Sequence, residues 1–230
     1  MRLTILGNNG PYPAASGACS GYLVSHNNIN VLVDCGLGVT ANLLKYISFE
    51  EISAVVFTHL HFDHVSDGLN LPVAMQVLSL PCPKIYAPET PVGVRALLTG
   101  AVFSEKFSVG DMQFELFPAK HPVEAYSIRI TCEDKVLVMT GDTNWHDNLV
   151  SVCRDADLLL ADAAFLHADW NENKPHLSAM LCGKAAREAG AKKLVLTHLN
   201  PKNSPDAIEA EAREQFGDAY AAEIGAVYEI

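Results

Sequence analysis

Three histidines and one aspartate fall within six residues, His59-Leu60-His61-Phe62-Asp63-His64, directly after the apolar run 54–57. Imidazoles collected at the end of a short strand would each need a polar partner on burial, so packing gives no reason for the cluster. A divalent cation satisfies all of them at once. Alternate side chains of extended backbone point the same way, so His59 and His61 can reach one ion together. Asp63 and His64 follow where the chain begins to turn and can face a second ion. The knot reads as the first half of a two-metal hydrolytic site.

Three further positions, each just beyond a β-like run, can complete it. His121 ends the run 114–120 and precedes Pro122. Asp142 follows Val136-Leu137-Val138-Met139-Thr140-Gly141, where a glycine lets backbone come close to a ligand. His198 ends Leu194-Val195-Leu196-Thr197, the same form as Val55-Val56-Phe57-Thr58-His59.

Positioning such distant groups requires strands that end at one edge. Period-two and apolar runs predict strands over 3–6, 20–25, 30–34, 54–57, 84–87, 112–117, 125–132, 135–140, 158–160, 193–197 and 226–228. The polar turn His26-Asn27-Asn28 joins the second to the third. Helices are expected over 39–46, 70–78, 91–98, 147–153, 177–188 and 205–216. The strongest is 177–188, where Leu177, Leu181 and Ala185 recur at helical spacing and Gly190 supplies a stop. Two sheets packed face to face, with helices outside, would bring the strand ends to one rim within a single domain over 1–230.

Composition narrows the function. Hydrophobic residues make up 49% and charged residues 19% of the 230-residue chain, ordinary for a globular α/β protein. A formal charge of −11 argues against a broad nucleic-acid footprint, so a tRNA-sized polyanion would meet general repulsion. The six cysteines are scattered without a Cys-x-x-Cys pair, as reduced, packed thiols would be. No apolar run reaches membrane-spanning length and the first strand begins at once, so a cytoplasmic protein without a membrane segment is expected.

The order His-x-His-x-Asp-His, lone His, Gly-Asp-Thr, Leu-Thr-His resembles the metallo-β-lactamase superfamily. Within it, the chain is most similar to the ribonuclease Z-like branch, in its compact form without an accessory arm. The similarity runs from Leu6-Gly7 through Asp34-Cys35-Gly36 to His198. It implies an α+β fold, a four-layer αββα sandwich of two face-to-face mixed sheets flanked by helices. It also assigns His59, His61 and His121 to one ion, Asp63, His64 and His198 to the other, and Asp142 to both. The ions would be divalent, zinc first, with manganese or iron as alternatives. Two such ions, two aspartates and a bridging hydroxide sum to about +1, matched to a phosphodiester anion, and the bridging water would be the nucleophile.

Likeness to the branch further implies that His176, in Pro175-His176-Leu177-Ser178, faces the scissile phosphate and stabilises the transition state or protonates the leaving oxygen. Asp162 would orient it, and Asp63 would serve as both ligand and proton acceptor. A helix-flanking polar residue and an ordinary turn aspartate are the plainer readings of His176 and Asp162. Asp34 either accepts backbone N–H groups from the metal-binding loop or makes a local turn. A homodimer follows from the likeness alone.

Two departures bear on substrate. Only twenty residues, 122–141, separate His121 from Asp142, and two strands occupy most of them, leaving no room for a tRNA-binding arm. His198 is followed by Leu199-Asn200-Pro201, without the arginine usual in tRNA-processing members. A dinuclear phosphodiesterase acting on a small or single-stranded substrate, such as a short nucleotide phosphodiester, is therefore expected. The alternatives are a tRNA 3′-end endoribonuclease, a thioester hydrolase, a mononuclear iron redox enzyme and a catalytically silent metal-binding module. Trp145 and Trp170 are expected to pack loops, His26, His146 and His167 to lie at the surface or in turns, and Ser178 to cap its helix. Residues 7–11 read as a flexible loop and 209–214 as a solvated helix face.

Overall fold

The computed structural model describes residues Met1–Ile230. In chain order, strands β1 (Arg2–Gly7), β2 (Gly21–His26), β3 (Ile29–Cys35), β4 (Ala54–Val56) and β5 (Lys84–Tyr86) build the first sheet. Strands β6 (Lys106–Val109), β7 (Met112–Pro118), β8 (Tyr126–Cys132), β9 (Lys135–Met139), β10 (Leu158–Asp162), β11 (Leu194–Thr197) and β12 (Ala219–Ala221) build the second. The closing strand β13 (Val227–Glu229) pairs antiparallel with β1, giving the order β13-β1-β2-β3-β4-β5 against β12-β11-β10-β9-β8-β7-β6. Each sheet is mixed: β3-β4-β5 are parallel, as are β9-β10-β11-β12, and the remaining pairs are antiparallel.

Three apolar layers separate the four structural ones. Alternation along each inner strand divides its residues between them. Val31 and Val33 of β3 face the second sheet while Leu32 faces the helices. In β10, Leu158 and Leu160 face inward whereas Leu159 and Ala161 face outward. Both sets are buried, which is why these strands read as unbroken apolar runs. Outside the first sheet lie α1 (Val39–Leu43), α2 (Phe62–Val65), α3 (Leu71–Leu78) and α4 (Val92–Arg95); outside the second lie α5 (Leu149–Cys153), α6 (Ala179–Ala189) and α7 (Pro205–Arg213). No helix is long and apolar enough to cross a membrane.

The expected αββα sandwich is present, with local differences. Asn27 and Asn28, at φ +46° and +65°, turn the β2–β3 hairpin as a two-residue loop. Two strands escaped the pattern. β6 alternates only between exposed and half-buried positions, and β12, Ala-Tyr-Ala, has weak intrinsic preference and is made a strand by parallel pairing with β11. Helix α6 begins at Ala179 because extended Ser178 caps it, its side chain accepting from the Leu181 N–H. The 209–214 face is solvated only in part: Ala210, Arg213 and Glu214 are exposed, but Ala212 is fully buried and Glu211 accepts from the backbone N–H groups of His167 and Met180. The 7–11 loop is pinned, with Asn8 donating to the Ala222 carbonyl and Asn9 to that of Leu199.

Candidate metal centre

The parallel strands β3 and β4 end side by side, and their last residues lock together. Asp34, in the left-handed region at φ +54°, accepts from the Thr58 N–H and hydroxyl, each at 2.8 Å, and lies 2.8 Å from His64 Nδ1. Asp34 therefore holds the metal-binding loop; it is more than a turn former. The end of β4 also leans across to the second sheet, where Tyr126 N–H donates to the Thr58 carbonyl at 3.0 Å. Gly141 belongs to this contact. It sits at φ +57°, and a Cβ there would fall 2.7 Å from the Tyr126 carbonyl, so the close approach it permits is to backbone, not to a ligand.

All seven expected side chains converge. His59, His61, His121 and Asp142 form one group, and Asp63, His64, Asp142 and His198 form a second; within each, the donor atoms lie within 4.8 Å of one another. Asp142 belongs to both. One of its oxygens lies 3.5 Å from His59 Nε2 and 3.3 Å from His198 Nε2, and the other 3.2 Å from His64 Nε2. His61 Nδ1 lies 3.1 Å from both His59 Nε2 and His121 Nε2.

These residues fit a divalent cation better than they fit one another. His121 Nδ1–H donates to the Pro175 carbonyl at 3.1 Å, which leaves Nε2 as a bare acceptor aimed at His61. The outer nitrogen of His64 is engaged by Asp34, while its inner Nε2 is buried without a hydrogen-bond partner. His61 Nδ1 can donate to only one of the Nε2 atoms of His59 and His121, and the other pair is left without a proton between them unless a cation sits there. Burial, followed by the neighbouring imidazolium of His64, holds His59 well below the usual histidine range, favouring the neutral ligand form. His64 goes the other way: burial opposes its charge, but Asp142 and Asp34 outweigh burial and raise it well above that range. Burial would raise Asp142, yet His198, His64 and His59 hold it well below the usual carboxylate range, so it stays ionised. Such a donor set, mixed imidazole and carboxylate, is one suited to a divalent metal.

A third convergence joins Asp162, His176 and His198. Its shortest contact, 2.8 Å from His176 Nδ1 to Asp162 Oδ2, has the length of a charge-assisted hydrogen bond. Burial pushes His176 down, but Asp162 prevails through its charge and this bond and raises the imidazole to about 9. Asp162 is itself placed by β10, two residues longer than expected, and its carboxylate accepts from the Thr143 and Ala164 N–H groups. A cleft of about 230 Å³ opens over the centre, lined by His61, Asp63, His121, Asp142, His176 and His198 with Pro11, Pro122 and Pro175. Gly10 lets its loop pass close to the centre, since a Cβ there would lie 2.0 Å from His198 Nε2.

Other expectations resolve in the same region. Trp145 packs under the Lys184 ammonium and Trp170 against the His167 ring, and both also line a cavity of about 410 Å³ beside Lys120 and Asn144. His167 lies in a turn, as expected, and its Nδ1 lies 2.9 Å from Ser178 Oγ. Five of the six cysteines are buried and all are free. The Pro175 carbonyl on His121 left no sequence signal, because any residue offers a backbone acceptor.

The model of the beta-lactamase superfamily domain matches residues 29–199, the span that contains every side chain of this centre. Over its whole length the chain is 32% identical to the probable metallo-hydrolase YhfI of Bacillus subtilis (strain 168), 100% of both chains being aligned. The crystal structure of that metallo-beta-lactamase fold protein covers 99% of each chain with a TM-score of 0.94 at 31% identity. A ribonuclease Z of Haloferax volcanii is 24% identical over 100% of this chain and 95% of its own. Human tRNase Z, short form, shares the fold with a TM-score of 0.80 at 22% identity, covering 100% of this chain and 99% of that one. The chain thus belongs to the beta-lactamase superfamily and carries the metallo-β-lactamase fold, with ribonuclease Z-like proteins among its relatives.

Proposed function

We propose that this protein is a metal-dependent hydrolase of phosphodiesters, acting on small or single-stranded substrates with two divalent ions, zinc first among them. His59, His61 and His121 would hold one ion, Asp63, His64 and His198 the other, with Asp142 shared. Ions so held polarise a phosphoryl oxygen and lower the pKa of water. The chain's own groups supply the rest. Asp63 lines the cleft and would take the proton of the attacking water. His176, kept protonated by Asp162 at Nδ1, has Nε2 left to meet the substrate and gives its proton to the departing oxygen as the P–O bond breaks.

The single observation that carries this reading is the Asp142-centred double cluster with the Asp162-bonded imidazole of His176 at its rim. The cleft supports a small substrate. It is small, and none of its nine lining residues is Lys or Arg, so nothing there grips a chain of phosphates. The segment between His121 and Asp142 is filled by β8, β9 and their turn, which leaves no arm to clamp tRNA.

Metal content and hydrolysis of bis-p-nitrophenyl phosphate, cyclic nucleotides and pre-tRNA, measured side by side, test the proposal. About two Zn or Mn per chain with turnover of the small diesters supports it. One Fe per chain without hydrolysis sinks it in favour of redox chemistry, and cleavage of pre-tRNA alone would reassign the substrate.

A further inference from the structure

Two residues beyond Asp142, the chain buries an amide that no metal or proton transfer uses. Asn144 is only 1% exposed, yet both ends of its side chain are fully engaged. Its Nδ2 donates to backbone carbonyls of the loop that precedes His176, those of Asn171 at 3.4 Å, Glu172 at 3.2 Å and Lys174. Its Oδ1 accepts from the Trp145 N–H and, at 3.1 Å, from the Trp170 indole N–H. That same indole N–H also reaches the His176 carbonyl at 3.0 Å. The backbone N–H of Asn144 donates to the Lys120 carbonyl, one residue before His121.

We infer that Asn144 is a positioning residue that latches the 170–176 loop to the segment carrying Asp142, and so places His176. The inference rests on the proposed role of that histidine. The loop makes no regular structure between the short turn at His167–Asp169 and the α6 cap, so its path has to be fixed by side chains. The carbonyls of Asn171, Glu172 and Lys174 point to one amide, and the Trp170 indole N–H that meets this amide also holds the His176 carbonyl. Removing the amide leaves several carbonyls and one indole N–H without that partner, and the loop relaxes toward water. A shift of about 1 Å in a proton donor costs roughly 10²-fold in turnover.

The test needs a readout apart from turnover, and the chain provides one. It has two tryptophans, so its indole N–H region holds two resonances, and Trp145→Phe identifies that of Trp170. In Asn144→Ala we expect the Trp170 indole hydrogen to exchange with solvent at least ~10-fold faster, metal content to stay within about 20%, and kcat to fall roughly 10- to 100-fold with KM within about twofold. In a His176→Ala background the same substitution should change kcat by less than about twofold, because the residue acts through His176. Trp170→Phe, which removes the shared N–H from the other side, should reproduce the kcat loss should Asn144→Ala fold poorly. Unchanged indole exchange, or an equal kcat loss in both backgrounds, overturns the latch. If the wild-type protein hydrolyses no phosphodiester, the functional proposal fails, while the exchange measurement still decides the latch.

Discussion

Two aspartates at the ends of parallel strands hold two imidazoles by the same bond, and the two pairs have different destinations. Asp34 stands one residue before the end of β3 and lies 2.8 Å from His64 Nδ1; Asp162 closes β10 and lies 2.8 Å from His176 Nδ1. Each carboxylate also accepts from backbone N–H groups, Asp34 from Thr58 and Asp162 from Thr143 and Ala164. Both partners are raised above the usual histidine range. What differs is the far nitrogen. His64 is 2% exposed and turns Nε2 into a closed pit, 3.2 Å from one Asp142 oxygen and 3.7 Å from Asp63. His176 is 12% exposed and lines the cleft. A carboxylate–imidazole pair does not by itself choose between holding a cation and giving a proton; the environment of the second nitrogen chooses.

Asp142→Ala should break both halves at once, because that carboxylate faces His59, His64 and His198 and lies 3.7 Å from His176 Nδ1. Metal per chain after dialysis should fall below about half the wild-type value, and turnover should drop by more than roughly 10⁴-fold. A variant that keeps its metal would show that Asp142 is not shared. His176→Ala should break only the open pair. Metal content should stay as in the wild type while kcat falls about 10²- to 10⁴-fold, the span of general acid catalysis. Normal phosphodiester turnover in that variant would remove His176 from the reaction.

The aspartates themselves sharpen the contrast. Asp34→Asn should lower metal affinity about 10- to 100-fold, read by competition with a chromogenic chelator, because a ligand's outer hydrogen bond sets its orientation and basicity. Asp162→Asn should mainly lower turnover of the metal-loaded enzyme, by roughly tenfold or more. It should disturb metal affinity less, since Asp162 stands 3.6 Å from His198 Nδ1, beyond hydrogen-bond length. Equal effects of the two variants on affinity would erase the distinction drawn between the pairs.

What the sequence made legible follows the same division. The metal centre was readable because metal ligands must be particular residue types, each placed where an apolar strand stops, and the resemblance to the superfamily then assigned Asp63, Asp142 and His198 to one ion. The fold was readable for a related reason: strands buried on both faces, such as β4 and β10, write continuous apolar runs. Contacts made by backbone carbonyls were invisible, as with Pro175 on His121. So were the weakly patterned strands β6 and β12, which exist by pairing and not by composition. Asp34 was readable only as two equal possibilities, because a strand-end aspartate accepts N–H bonds in either case and the three-dimensional partner decides.

The smallest effect expected concerns how each half starts the helix beside its imidazole. In the first half, α2 has no side-chain cap, and His61 occupies the position where one would stand. In the second, α6 follows His176 after two residues and has a serine cap: buried Ser178 accepts from the Leu181 N–H at 3.3 Å and meets His167 Nδ1 at 2.9 Å. Ser178→Ala removes the acceptor and leaves one helix N–H and one imidazole nitrogen unpaired. Loss of such a cap costs about 1 kcal/mol, or roughly 2–4 °C of melting temperature for a chain this long. Turnover should change less than about threefold, because Asp162 and the Trp170 indole still hold His176 from either side. A thermal melt and a kcat measurement on the same sample separate the two quantities. If turnover instead collapsed as in His176→Ala while the melting point barely moved, the cap would be what aims the proton donor, and the carboxylate would be left with charge stabilisation alone.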